Sequence, residues 1–81
     1  MDKSEILKII RSILCDIFND PTLMVTEDTN AQNIERWDSI THVNILMTVE
    51  RTFKIRFSLG EIKKLRNVGE MVSLVSQKLS A

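Results

Sequence analysis

The 81-residue chain has one cysteine, one histidine, one proline, two glycines and no tyrosine. A lone thiol, Cys15, excludes an internal disulfide framework, and with His42 as the sole imidazole no zinc-ligand set can be assembled from Cys and His. That usage fits a reducing compartment. Two glycines leave no material for a phosphate-cradling loop, and a chain this short has little room for an enclosed substrate pocket. Self-contained catalysis is therefore not expected. No apolar run approaches the roughly 20 residues that span a bilayer, and Met1-Asp2-Lys3-Ser4-Glu5 lacks the basic-then-apolar layout of a signal peptide. The sequence reads as one domain over residues 1–81, cytoplasmic, with no membrane association.

Net charge is zero as well, with eleven basic residues against eleven acidic ones. The balance hides a division. Residues 1–38 hold eight acids and four bases, a net of −4, and residues 39–81 hold three acids and seven bases, a net of +4.

What the chain does have is apolar periodicity. Ile6, Leu7, Ile10, Ile13, Leu14, Ile17 and Phe18 recur at three- and four-residue spacing, the stripe of an amphipathic helix over Lys3 to Phe18. Asp2, with Glu5 three places on, has the form of a capping box. Pro21 and its polar neighbours end the pattern. From Asn19 to Arg36 only Leu23, Met24, Val25 and Ile34 are large and apolar, so a long loop comes next, with one helical turn expected near Ala31 to Ile34. A connection of that length must pack across the domain through those few residues.

Asp38 is a good N-cap for a second helix from Ser39 to Phe53, whose apolar run is Ile40, Val43, Leu46, Met47 and Phe53, with Ile45 and Val49 on a neighbouring face. Ser58 and Asn67 each precede a Glu by three positions, so each reads as a helix start. Leu59, Ile62 and Leu65 support a short third helix. Val68, Met71, Val72, Val75 and Leu79 support a fourth over Val68 to Leu79. The expected fold is all-α: a four-helix bundle of three longer helices and a short third one, with the long loop between the first and second.

Asp38, Ser39 and His42 are the residue types of a hydrolase triad, but three residues on one helical turn cannot surround a reacting carbonyl, and no oxyanion donors accompany them. His42 reads instead as a solvated helix residue. Ser39 is an ordinary first-turn serine by type. Its position adds something: a hydroxyl at a helix start after a polar loop is exposed, and a phosphate attached there meets the positive end of the helix dipole. The site suits a phosphodiester.

Trp37-Asp38-Ser39-Ile40 and the subsequent residues to Ile55 resemble the Asp-Ser-Leu segment and second helix of acyl carrier proteins, and the helix order over the rest of the chain is similar too. The resemblance implies that a phosphopantetheinyl transferase esterifies Ser39 with 4′-phosphopantetheine from coenzyme A. It implies an arm whose terminal thiol carries acyl groups as thioesters, and no catalysis by the carrier. Asp38 would cap the helix and lie beside the transferase's metal-bound phosphates. Ile40 and Met47 match positions that present apolar side chains to partners, although Met47 suits a core position equally. Acyl-loading and acyl-processing enzymes would dock on the helix from Ser39 to Phe53 of a monomer.

Two departures stand out. Ile40 replaces the usual Leu, a conservative change of volume. More consequential, Thr41, Asn44, Arg51 and Thr52 occupy positions where acids are usual in the fatty-acid type, leaving Glu50 as the helix's one carboxylate after Asp38. This points to dedicated partners in a polyketide, peptide or other specialised acyl pathway. Two competing readings remain. One is a carrier-like interaction domain that is never modified. The other is a nucleic-acid-binding domain built on Lys54, Arg56, Lys63, Lys64 and Arg66, against which stand the zero net charge and a short helix that offers no Asn or Gln before Asn67 to read bases.

Overall fold

The structure is a computed structural model that describes residues 2–30, 37–65 and 67–80. Among the described residues there are four helices and no strand: α1 Lys3–Ile17, α2 Ser39–Phe53, α3 Leu59–Lys64 and α4 Val68–Ser80. The all-α expectation holds, with three longer helices and a short third. The helical turn expected near Ala31 to Ile34 lies outside the described residues.

α1 begins where the Asp2 carboxylate accepts the Glu5 N–H at 2.9 Å. Its stripe of Ile6, Ile10, Ile13 and Leu14 is buried against α4 and α2. The helix ends through Asn19, which takes the left-handed conformation at φ 51°. The Asn19 N–H then reaches the Asp16 carbonyl and the Asp20 N–H reaches the Cys15 carbonyl, the paired bonds of a Schellman cap. Asparagine tolerates that backbone better than most residues. The stop is thus made two residues before Pro21.

In the described part of the long connection Leu23 and Val25 pack against the core as expected, whereas Met24 is exposed, and backbone bonds add to the hold. The Thr26 N–H donates to Thr29 Oγ1 at 2.9 Å, and Thr29 is buried. From this tight turn the Thr29 and Glu27 carbonyls accept the Val68 and Gly69 N–H groups, each at 2.8 Å. The first N–H groups of a helix have no partner within it, so this loop supplies part of the cap of α4. Asn67 completes it, its side-chain oxygen accepting from the Glu70 N–H. A Cβ on Gly69 would lie 3.0 Å from the Glu27 carbonyl oxygen, which is why the smallest residue stands there.

α2 packs inward through Ile45, Leu46, Val49 and Phe53. The apolar run read from the sequence divides here: Leu46 and Phe53 face the core, whereas Ile40, Val43 and Met47 face outward. The helix carries apolar residues on two sides, and spacing alone does not say which side is covered. Its C-terminal turn closes at Lys54, left-handed at φ 57°, with the Ile55 N–H bonded to the Glu50 carbonyl. The Glu50 carboxylate accepts the Phe57 N–H at 2.8 Å and so guides the chain toward α3. α3 carries a reciprocal capping box between Ser58 and Glu61, and Glu61 also pairs with Lys78 of α4 at 2.9 Å.

Among the described residues fifteen apolar side chains are buried in the core, Ile10, Leu14, Ile45, Val49, Met71 and Val75 among them. Leu14 is fully buried and Leu59 is 71% exposed. Leu14→Ala is expected to cost about 2–5 kcal/mol, and Leu59→Ala to stay within about 0.5 kcal/mol. Urea unfolding followed by circular dichroism measures both; equal losses for the two would contradict this packing.

Candidate functional site

Ser39 is the first residue of α2 and is exposed. What sets it there is Asp38, whose backbone is extended and whose carboxylate accepts the Thr41 N–H at 2.8 Å. That hydrogen bond, strengthened by the Thr41 side chain, holds the Asp38 carboxyl below its ordinary value. The Asp38 carbonyl meanwhile accepts the first intrahelical bond, from the His42 N–H at 2.9 Å. Ser39 therefore contributes backbone to the helix while its hydroxyl makes no hydrogen bond among the described residues.

The residue before the cap anchors this helix start to the rest of the fold. Trp37 is buried, its ring 6.0 Å from that of Phe18 at the end of α1, tilted by 50°. Its indole N–H donates to His42 Nδ1 at 3.0 Å. A buried indole needs such a partner, and an accepting Nδ1 requires a ring protonated at most on Nε2. Burial pushes the His42 pKa below its ordinary 6.5, in the same direction.

His42 is thus a half-buried residue bonded to Trp37, which corrects its reading as a solvated helix residue. Asp38, Ser39 and His42 stand together at the helix start but form no triad. Asp38 is engaged by Thr41 and His42 by Trp37. The Trp37–His42 pair has no signal in the sequence, where the two stand five residues apart and the bond depends on Phe18 setting the indole.

Beside Ser39 lies an open groove of about 570 Å³ lined by Trp37, Asp38, Ser39, His42, Val43 and Leu65. Leu65 comes from the end of α3, so the groove joins the start of α2 to the connection that leads to α4. An exposed hydroxyl free of internal bonds, at the positive end of a helix and beside a partly apolar groove, fits a covalent phosphodiester with an extended organic arm. Phe18, Trp37 and the first turn of α2 give that hydroxyl a fixed mounting. Among the described residues no group of three or more His, Cys, Asp or Glu side chains could hold a metal ion.

Protonation of His42 must break the Trp37 bond, because the imidazolium has no free lone pair. With its folded pKa depressed, the unfolded chain binds this proton more readily. The stability His42 contributes is therefore complete above about pH 6.5 and is lost as pH falls from there through the lower folded value. In an NMR titration the His42 ring and the Trp37 indole N–H are expected to shift together, with a midpoint below 6.5. An indole signal that ignores the imidazole titration would contradict the bond.

Residues 8–75 match the family model for a phosphopantetheine attachment site. The chain is 29% identical over 82 residues to an acyl carrier protein of Thermosynechococcus vestitus, covering the whole of both chains. It is 32% identical over 75 residues to an acyl carrier protein of Lactobacillus johnsonii, covering 93% of this chain and 94% of that one. The solution NMR structure of holo acyl carrier protein from Geobacter metallireducens superposes with a TM-score of 0.85 at 39% identity, over 91% of this chain and 85% of the other. Helix order and matches over nearly the full length agree: the chain belongs to the acyl carrier protein family, proteins that bear a covalent phosphopantetheine arm and are carriers, not enzymes.

Proposed function

We propose that Ser39 is the residue that bears the 4′-phosphopantetheine, and that the loaded protein serves dedicated enzymes of a specialised acyl pathway. The observation that carries the first part is the Ser39 hydroxyl, exposed and without an internal hydrogen bond at a capped helix start. Attachment forms a bond from Ser39 Oγ to the pantetheine phosphorus of coenzyme A. Adenosine 3′,5′-bisphosphate leaves, and the hydroxyl proton passes to a base of the phosphopantetheinyl transferase. The arm, once bound, supplies a thiol that holds acyl groups as thioesters. The protein's own share is to hold Ser39 fixed, through Asp38 and through Trp37 and His42, and to offer the groove beside it to the arm. Residues 1–81 act as one carrier domain, a monomer in the cytoplasm.

The second part is supported by the outer surface of α2. Acyl-loading and acyl-processing enzymes meet the helix from Ser39 to Phe53, where Ile40, Val43 and Met47 are 82%, 52% and 53% exposed. The same surface carries Asn44, Arg51 and Thr52, all exposed and none acidic. Enzymes that recognise an acidic carrier helix would find little complementary charge here.

Intact-protein mass spectrometry after incubation with coenzyme A and a broad-specificity transferase is expected to reveal one phosphopantetheine per chain, absent from Ser39→Ala. An unmodified parent protein would refute the carrier reading and favour an interaction domain that is never loaded.

For the pathway, the holo protein is expected to be a poor substrate for the enzymes of a housekeeping fatty-acid synthase, with kcat/KM at least about tenfold below that of their own carrier, or about 1.4 kcal/mol. Comparable turnover would remove the case for dedicated partners.

A further inference from the structure

The outer face of α2 has two chemically different ends. Ile40, Val43, Met47, Arg51 and Lys54 succeed one another at intervals of three and four residues, so they form a single stripe along the helix and its C-terminal cap. The end next to Ser39 is apolar and exposed. The far end is basic: Arg51, Lys54 and Arg56 are all exposed, and none forms an ion pair among the described residues. Between the two ends runs an open groove of about 420 Å³ lined by Met47, Glu50, Arg51, Lys54, Ile55 and Arg56. The one carboxylate in it, Glu50, is partly buried and engaged by the Phe57 N–H at 2.8 Å, which turns it toward the backbone.

We propose that this basic end of α2, formed by Arg51, Lys54 and Arg56 beyond Met47, is a docking site for an acidic patch on a partner protein. It rests on the proposed function, in which partners meet this protein along α2, and it adds their charge. Three cations without an ion-pair partner among the described residues, around a groove with one carboxylate, select carboxylates by complementarity, which sets partner choice and encounter rate more than raw affinity.

The apolar end excludes the other polyanions. A phosphate backbone buries nothing against Ile40, Val43 and Met47. A lipid surface needs a broad apolar face flanked by bases, whereas the broad apolar face of α2 is spent on the core.

The stripe also has direction. From Ile40 to Arg51 the helix rises about 16 Å at about 1.5 Å per residue. A partner must place its acids that far from the recess that covers Ile40. A stripe with one apolar and one charged end can be matched one way round only. Docking therefore determines which way Ser39 is presented, so the same three cations that choose the partner also orient the arm toward its active site.

The test is an NMR titration of the full-length apo protein with a helical peptide whose face carries leucines at one end and glutamates at the other. The matching peptide with lysines in place of the glutamates is the control. The glutamate peptide is expected to shift the amides from Met47 to Phe57, to weaken as salt is raised, and to bind roughly tenfold more weakly to R51E/K54E/R56E. R51Q/R56Q, which removes charge without reversing it, should fall between the two.

Several results would overturn the proposal: no binding, shifts centred on Lys8 and Arg11 instead, equal binding of the lysine peptide, or indifference to the charge-reversed variant. So would tighter binding of a DNA duplex or of anionic phospholipid vesicles at the same residues. Because the apo protein is used, the titration does not depend on Ser39 accepting the arm. A missing adduct in the mass measurement would sink the carrier reading and leave this result to stand by itself.

Discussion

The burial of one stripe of α1 is the constraint on which the rest of this small fold depends. α1 packs on both α4 and α2, and Ile6, Ile10, Ile13 and Leu14 are the side chains that do it. A chain of this length can bury only about 60–65% of the surface it exposes when unfolded. It has no reserve for a second core. With α1 in the middle, the inner faces of α2 and α4 pack on the same helix.

The position of Ser39 depends on the same helix. Phe18 closes the stripe of α1, Trp37 stacks obliquely against it, and the Trp37 N–H holds His42 on the first turn of α2. The cap at Asp38 is therefore tied to the end of α1. The loop also serves the start of α4, to which its Thr26–Thr29 turn lends carbonyls. A long connection with few apolar residues can thus be ordered where it counts, because it exchanges backbone hydrogen bonds with a helix end that lacks them. Gly69 marks that contact, since a Cβ there would lie 3.0 Å from the Glu27 carbonyl oxygen.

Much of this is legible in the residues themselves. Asp2, Asp38 and Ser58 are caps by type and by the residues after them, and the structure uses each as one. The periodicity of α1 and α4 is one-sided, so pattern and burial coincide there except at Leu79, which is exposed at the end of α4. α2 is the instructive failure. Ile40, Val43 and Met47 keep a helical period as well as Ile45, Leu46, Val49 and Phe53 do, and the period of an apolar stripe says nothing about whether the core or a partner covers it. Burial against α1 decides, and that is a long-range fact. His42 escapes a reading of the sequence for a related reason. Its environment is set by Trp37, which is set by Phe18, and no local pattern joins residues 18, 37 and 42. Cys15 agrees with its type, a half-exposed side chain near the Leu23 carbonyl.

The neutrality of the chain takes on a different meaning once α2 is seen from outside. A net charge of zero says that the protein has no long-range preference for either sign, but partners meet a surface, not a sum. The acids that follow along the chain are engaged internally: Glu50 by the Phe57 N–H, and Glu61 of α3 by its capping box and Lys78. Those same contacts hold Glu61 below its ordinary pKa, so its charge persists while it is spent internally. The bases at the end of α2 have no such employment. The fold thus gathers Arg51, Lys54 and Arg56 around one groove where Glu50 is the one lining carboxylate, and bases outnumber acids there three to one. Folding, more than composition, gives this carrier its electrostatic face.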